Sequence, residues 1–383
     1  MKFIYNNENY GLEFSYFENK GYKLFEIPQN DYTYLNEIES GDVLFIRLDD
    51  IDIINEKVNP TFKLTIFLFV KHEYCNRHRR KSILDNKNPN HKIFFITTHL
   101  DNDTIEYDLA LRSKCIPFRA IFPKETLIIS NDRSKKYNFF NRSINIRRLK
   151  VYELLKSTNL IDCYYTFGNI IKKNTFDNVS NIKEFLAYRS GPGGGRNNND
   201  GIVLDIDLLE QSKDEFVLIE NREDVENSRI QQDSNEETYY EINKLSADSY
   251  VSFIIESSGD SGDDLRITEK TIRSWLYKNI FLSLQCNGFN RALRNNGIQT
   301  FEDVFGLDEN WDENKSETTR IETFVNALKC FNLLSIDEVK QIYNSDSVQK
   351  RLENNYKIVG GCFNPLNAIM EIDKLISYEN NVH

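Results

Sequence analysis

The run from residue 137 to residue 169 restricts the fold more than any other part of this chain. "YNFFNR" (137–142) has the look of a short buried strand. "INIRRLKVYELLKSTNL" (144–160) then sets Ile146, Leu149, Val151, Leu154 and Leu155 at helical spacing. "DCYYTFGN" (162–169) returns to strand character. A strand, a helix and a strand in so short a span require a crossover between parallel neighbours, which is the unit of an α/β domain. The pattern recurs at "YVSFIIESS" (250–258), "TEKTIRSWLYKN" (268–279) and "IFLSLQC" (280–286).

Upstream, strands alternate with polar breaks: "YKLFEI" (22–27), "DVLFIRL" (42–48), "FKLTIFLFV" (62–70), "KIFFITTHL" (92–100) and "RAIFP" (119–123). Helical spacing is thin there, with "TYLNEIES" (33–40) and "DTIEYDLALRS" (103–113) as the candidates. Downstream, "FNRALRNNGI" predicts a short helix. "TTRIETFVNALKCFNLL" and "IDEVKQIYNSDSVQKRLENNY" predict longer ones, and "NPLNAIMEIDKLI" a last. The acidic stretch 209–238 interrupts the pattern as an insertion. With 383 residues and a change of character near 137, two α/β domains are expected, residues 1–130 and 131–383.

Hydrophobic residues make up 40% and aromatics 13%, enough to build folded cores. The longest apolar run, "LTIFLFV" (64–70), is far short of the ~18 residues a membrane span needs. "MKFIYNNENYGLEF" lacks the apolar core of a signal peptide. Six cysteines without framework spacing suggest reduced thiols. The expected setting is therefore cytoplasmic, without a membrane partner (the host's cytoplasm if the chain is viral). Net charge is −11 but uneven: residues 1–150 carry 24 Lys and Arg against 20 Asp and Glu, and the remainder 24 against 39. A dedicated nucleic-acid binder would show a stronger basic field.

Two stretches invite a phosphate. "GPGGGR" (191–196) is rich in glycine but lacks the Lys-Ser/Thr of a phosphate loop and leads into "NNNDG", so it is read as a cleft loop, with Arg196 as an extra contact. The helix at 268–279 is the better candidate. Ile272, Trp275, Leu276 and Ile280 would face the sheet, Thr268 would cap the helix, and Glu269, Lys270 and Arg273 would cluster on the other side. A helix start after a parallel strand offers open N–H groups and a positive dipole end at the carboxyl edge of the sheet, where nucleotides bind. A carboxylate there can accept both hydroxyls of a ribose, and a neighbouring lysine can neutralise a phosphate.

These residues carry a resemblance. "IIESSGDSGDDLRITEK" (254–270) resembles the donor-binding motif of fucosyltransferase-like glycosyltransferases, roughly Phe-Glu-Asn-Ser, a spacer, then Asp-Tyr-Ile-Thr-Glu-Lys. It keeps Glu256, Ser258, Ile267, Thr268, Glu269 and Lys270, with Ser257 for the Asn and Leu265-Arg266 for Asp-Tyr. "FNRALRNNGIQTFEDVFGLDENWD" (289–312) resembles the Leu-Arg-x-x-Gly-Phe-x-Thr-Phe segment of a broader group of phage- and virus-encoded glycosyltransferases. "FFNRSINIRRLKVYELLKSTNLID" (139–162) looks like that group's Asn-Arg-x-x-Arg-x-His-Arg, long helix, Leu-Leu-Asp unit. The three segments span about residues 137–335; the first 130 residues carry no such likeness.

The resemblance implies a GT-B arrangement: two Rossmann-like domains facing across a cleft, an acceptor-side domain and a donor-binding domain, with the C-terminal helix packing back. It implies a metal-independent, nucleotide-sugar-dependent enzyme with no resident cofactor. Glu269 would hold the donor ribose and Lys270 would sit near the diphosphate. Arg142, Arg147 or Arg148 would supply a second phosphate contact, and Glu256 and Ser258 would line the pocket beside Thr268 and Arg273. The acceptor hydroxyl, on a glycan, a protein or a modified DNA base, needs a base from the first domain. Asp49, His72 and Glu73 lie at predicted strand ends, as do Asp50, His99 and Asp101.

Other patterns are weaker. "DDID" (49–52) imitates the Asp-x-Asp of metal-dependent sugar transferases, yet it stands outside the predicted donor domain. His72, Cys75 and His78 lack a fourth zinc ligand, so no metal site is expected. A non-catalytic glycan- or nucleic-acid-binding protein keeping the same fold is the alternative.

Overall fold

The computed structural model describes residues 1–6, 14–27, 32–47, 50–69, 77–96, 129–141, 146–167, 202–211, 242–256, 265, 267–313, 316–362, 369–370 and 372–377. The chain divides into two compact units, Met1–Ala120 with Ile358–His383, and Ile121–Lys357. Each is an α/β unit with its own all-parallel sheet, and both are Rossmann-like.

In the first unit, β1 (Lys2–Asn6), β2 (Lys23–Ile27), β3 (Val43–Arg47), β4 (Leu64–Phe69) and β5 (His91–Ile96) line up in the order β2-β1-β3-β4-β5. Helices α1 (Ser15–Asn19), α2 (Ile51–Lys57) and α3 (Arg77–Asp85) fall between strands. The runs predicted at 22–27, 42–48, 62–70 and 92–100 supply β2 to β5. The stretch at 33–40, expected to be helical, holds a single 3-10 turn, Thr33–Glu37. The candidates at 103–113 and 119–123 lie outside the described residues.

Continuous apolar strands are what a sheet buried on both faces requires. Alternation in β4 sends Ile66 and Leu68 to one face and Phe67 and Phe69 to the other. The aliphatic face packs against Ile51, Ile54 and Val58 around α2 and Ile83 of α3. The opposite face is aromatic: Phe3, Phe45, Phe67 and Phe94 follow one another across four strands with ring centroids 6.0, 4.9 and 5.1 Å apart. Phe17 of α1 joins it, as do Ile369, Ile372 and Ile376, spaced three and four apart; residues 372–377 are helical. Those three isoleucines are why residues 358–383 group with the first unit, whereas a single domain from 131 to 383 was expected.

His91 opens β5 and is 1% exposed. Among the described residues neither ring nitrogen has a hydrogen-bond partner, and burial pushes its pKa below the ordinary value. A histidine whose pKa is lowered by folding binds fewer protons in the fold than it does unfolded. Its contribution is therefore intact above the unfolded pKa of about 6.5 and is lost as pH falls below it. The first unit should lose stability as pH falls below about 6.5 toward the lowered pKa of the folded histidine, at no more than about 1.4 kcal/mol per pH unit. Denaturant melts of a His91→Leu variant should lack that slope; an unchanged slope would assign it to another group.

The second unit contains β6 (Lys135–Asn141), β7 (Cys163–Phe167), β8 (Ser249–Ile255) and β9 (Ile280–Leu284), in the order β7-β6-β8-β9. Among the described residues its helices include α4 (Ile146–Leu155), α5 (Ile206–Gln211), α6 (Glu269–Leu276), α7 (Phe289–Asn295), α8 (Glu317–Asn332), α9 (Ile336–Tyr343) and α10 (Asp346–Cys362), whose residues from Ile358 onward fall with the first unit. Phe324 and Phe331 of α8 pack edge-on against Phe253 of β8. Trp275 of α6 meets Phe281 of β9, and Ile272 is fully buried with it. The single helix expected over 336–356 is two. Asn344 closes α9, and Ser345, whose carbonyl accepts the Gln349 N–H at 2.9 Å, begins α10. Short polar side chains favour such ends over helix interiors.

Candidate functional site

In the second sheet β6 is flanked by β7 on one side and β8 on the other, so the strand order reverses between β6 and β8. Ligands of parallel α/β sheets bind at the carboxyl ends of the strands where such a reversal occurs. Both strands run into helices there, β6 into α4 and β8 into α6, so the chemistry of this edge is set by two first turns.

Glu256 follows the last residue of β8. Its N–H donates to the Leu284 carbonyl at 3.1 Å, which extends the strand pairing by one residue, and it is fully buried. Its carboxylate accepts the Thr268 N–H at 3.3 Å and the hydroxyls of Thr268 and Thr271. Thr268 is the N-cap of α6, as its spacing predicts, and its hydroxyl oxygen in turn accepts the Lys270 N–H at 3.3 Å. This alters the expectation of an open helix start: the N–H groups of Thr268 and Lys270 are already engaged. Glu256 is itself an anion at a helix N-terminus, where the backbone dipoles favour one.

What remains outward is side-chain chemistry. Glu269 and Lys270 form an ion pair of 2.8 Å, with side chains 26% and 12% exposed, while residues 271–275 are buried. Burial alone would raise the Glu269 pKa, but Lys270 and Arg273 outweigh it and bring it down to about 2. Glu269 is thus a negative acceptor paired with the Lys270 ammonium. Arg273 does not share their outward side, because its Nε donates to Asn243 Oδ1 at 2.8 Å and the residue is 5% exposed. It acts on Glu269 from within.

Arg147 and Arg148 stand in the first turn of α4 and are both buried. Arg148 Nη2 donates to the Ile255 carbonyl at 2.7 Å. Burial draws its pKa down to about 10 while Glu256 and Glu269 hold it up, so the guanidinium is charged at neutral pH. Arg147 Nε donates to Glu317 Oε1 at 2.5 Å, and its Nη1 lies 3.5 Å from the Glu256 carbonyl oxygen. Both arginines therefore brace the end of β8 from behind the Glu269–Lys270 pair.

Arg142 and Ser258 lie outside the described residues, as do Asp49, His72, Glu73, His99, Asp101 and Arg196. Asp50 is described: it precedes α2 just beyond β3, which holds in the first sheet the place β8 holds in the second. It stands at the N-cap of α2, but its side chain makes no capping hydrogen bond. Its carboxylate accepts from Tyr32 Oη at 3.0 Å and from Arg47 Nε and Nη2 at 3.4 Å. In the segment 289–312, Arg294 gathers Glu302 and Glu309, each at 2.9 Å, and Asp312 accepts the Asn290 N–H at 3.0 Å. Those residues shape the turn after α7. Residues missed from sequence are Thr271, Asn243 and Glu317; only Glu317 had a local signal, as an acid following the N-cap Ser316.

Among the described residues no three or more His, Cys, Asp or Glu side chains gather where they could hold a metal ion. No helix there is long and apolar enough to cross a membrane. The fold defines a protein with two Rossmann-like α/β units and, in the second, a charged carboxyl-edge site. Comparisons with protein families, curated proteins and solved structures find no match to this chain.

Proposed function

We propose that the chain is a glycosyltransferase that moves a sugar from a nucleoside diphosphate to an acceptor hydroxyl, with the donor held at the first turn of α6. The observation that carries this reading is the Glu269–Lys270 pair: two outward charges on an otherwise buried turn, at the strand-order reversal of a parallel sheet. With its low pKa, Glu269 is ionised and able to accept two ribose hydroxyls. Lys270 then exchanges Glu269 for a diphosphate oxygen, so neither charge is stranded. As the bond from the sugar to the diphosphate breaks, the leaving group gains negative charge. Lys270, with the buried charge of Arg148 behind it, stabilises that charge without a metal. The acceptor hydroxyl loses its proton to a base on the first unit, for which Asp49, His72 and Glu73 are the proposed residues.

A thermal-shift panel of UDP, GDP, CDP and ADP tests the reading. One of them at a hundredfold excess over its Kd should stabilise the protein by about 2.7 kcal/mol. The Glu269→Ala variant should lose that response while melting as the wild type does without ligand. A wild type indifferent to all four, or a variant that responds equally, would remove the donor site from α6.

A further inference from the structure

We infer that Glu317, at the start of α8, is a positioning residue for the first turn of α6, acting through Arg147. This rests on the donor-site reading above and deepens it.

Ser316 caps α8 by accepting the Thr319 N–H at 3.1 Å, which makes Glu317 the first residue of the helix. Acids are favoured there by the helix dipole and normally point into water. Glu317 instead turns inward: its side chain is 5% exposed and that of Arg147 4%, and the two meet although 170 positions separate them. Arg320, one turn further along α8, is also buried and is held electrostatically by Glu317 and pressed by Arg147. The Glu317 carboxylate therefore neutralises two neighbouring guanidinium groups.

Cohesion alone does not call for such a pair. The helices α4 and α8 already pack together, and an apolar pair of similar volume would hold them at least as well, since burying charge costs more than it commonly returns. What the ion pair adds is direction. With Nε fixed on Glu317, Arg147 turns Nη1 toward the Glu256 carbonyl, 3.5 Å away, next to the Ile255 carbonyl that Arg148 holds. Two consecutive arginines thus steady two consecutive carbonyls at the end of β8. The Glu256 side chain leaves from that point to clamp Thr268 and Thr271, and Glu269 is the next residue after Thr268. Without Glu317, Arg147 loses the acceptor that fixes its Nε, and the clamp loses its fixed base.

The test compares wild type, Glu317→Gln and the double variant Glu317→Gln/Arg147→Gln. The readouts are melting temperature, affinity for the nucleoside diphosphate that shifts the wild type, and amide hydrogen exchange at Thr268 and Lys270. Glu317→Gln should weaken affinity about tenfold and speed exchange at both amides about tenfold. The double variant removes the Arg147 guanidinium as well and should stay as weak in binding as Glu317→Gln, whatever its melting temperature. Wild-type affinity and exchange in Glu317→Gln would overturn the inference. So would affinity that returns in the double variant, because Glu317 would then serve packing alone. A wild type that binds no nucleoside diphosphate ends both readings. Loss of binding in Glu269→Ala with none in Glu317→Gln ends only this one.

Discussion

An Arg133→Ala variant is expected to lose about 3–5 kcal/mol of stability in the second unit, since it removes the donor of several buried acceptors at once. For a unit of this size that is roughly a 10 °C fall in its unfolding midpoint. Arg133 is 4% exposed and precedes β6 at the amino edge of the sheet. Its Nε donates to the Ser130 carbonyl at 3.1 Å and its Nη1 to the Ser249 carbonyl. Nη2 reaches the Tyr277 carbonyl at 2.8 Å and the Tyr343 hydroxyl at 2.6 Å. The Tyr343 ring also lies 4.7 Å from the guanidinium carbon. One side chain thus ties the start of β8, the end of α6 and the end of α9. Truncation strands several buried acceptors at once, each worth about 1–3 kcal/mol when left unmet. Lysine keeps the charge but not the planar fork, so Arg133→Lys should recover only part of the loss. Calorimetry decides the matter: overlapping melts for wild type and Arg133→Ala would show that water takes the arginine's place.

The second large effect concerns the first unit. Ending the chain after Lys357 should unfold it, because Ile369, Ile372 and Ile376 cover the aromatic face of its sheet and are each at most 2% exposed. Burying one isoleucine is worth about 1.5–3 kcal/mol, so three approach the whole stability of a typical domain, about 5–15 kcal/mol. The truncated chain should bind an apolar dye, and proteolysis should cut first within residues 1–96. Ile372→Ala is the graded version, with an expected loss of about 2–5 kcal/mol. A truncated chain whose first unit still resists protease would mean that other residues cover that face.

Most of the fold was legible because both sheets are built from uninterrupted apolar runs, which only a doubly covered parallel sheet tolerates. The strand β1 was not. "KFIYN" is five residues long and merges into a polar run, and its central place depends on pairing with both β2 and β3. The break between α9 and α10 was hidden because no glycine or proline marks it. At the candidate site, local features were readable: Thr268 as a cap, and Glu269 and Lys270 as the charged first turn. Long-range pairings were not. Charged side chains are taken as surface by default, so nothing in the run around Arg147 marks it as buried against Glu317. The clamp of Glu256 on Thr268 was also unseen, and that is why the helix start was expected to be open.

The return of residues 369–376 to the first sheet has a consequence for synthesis. A ribosome releases the strands of the first unit well before the isoleucines that shield them, since all of residues 121–357 are made in between. The unit whose strands emerge first is thus the one that closes last, and the part of its phenylalanine face covered by Ile369, Ile372 and Ile376 stays exposed until they are made. Such exposure is what holding chaperones recognise, and a slower passage through the middle of the message would prolong it.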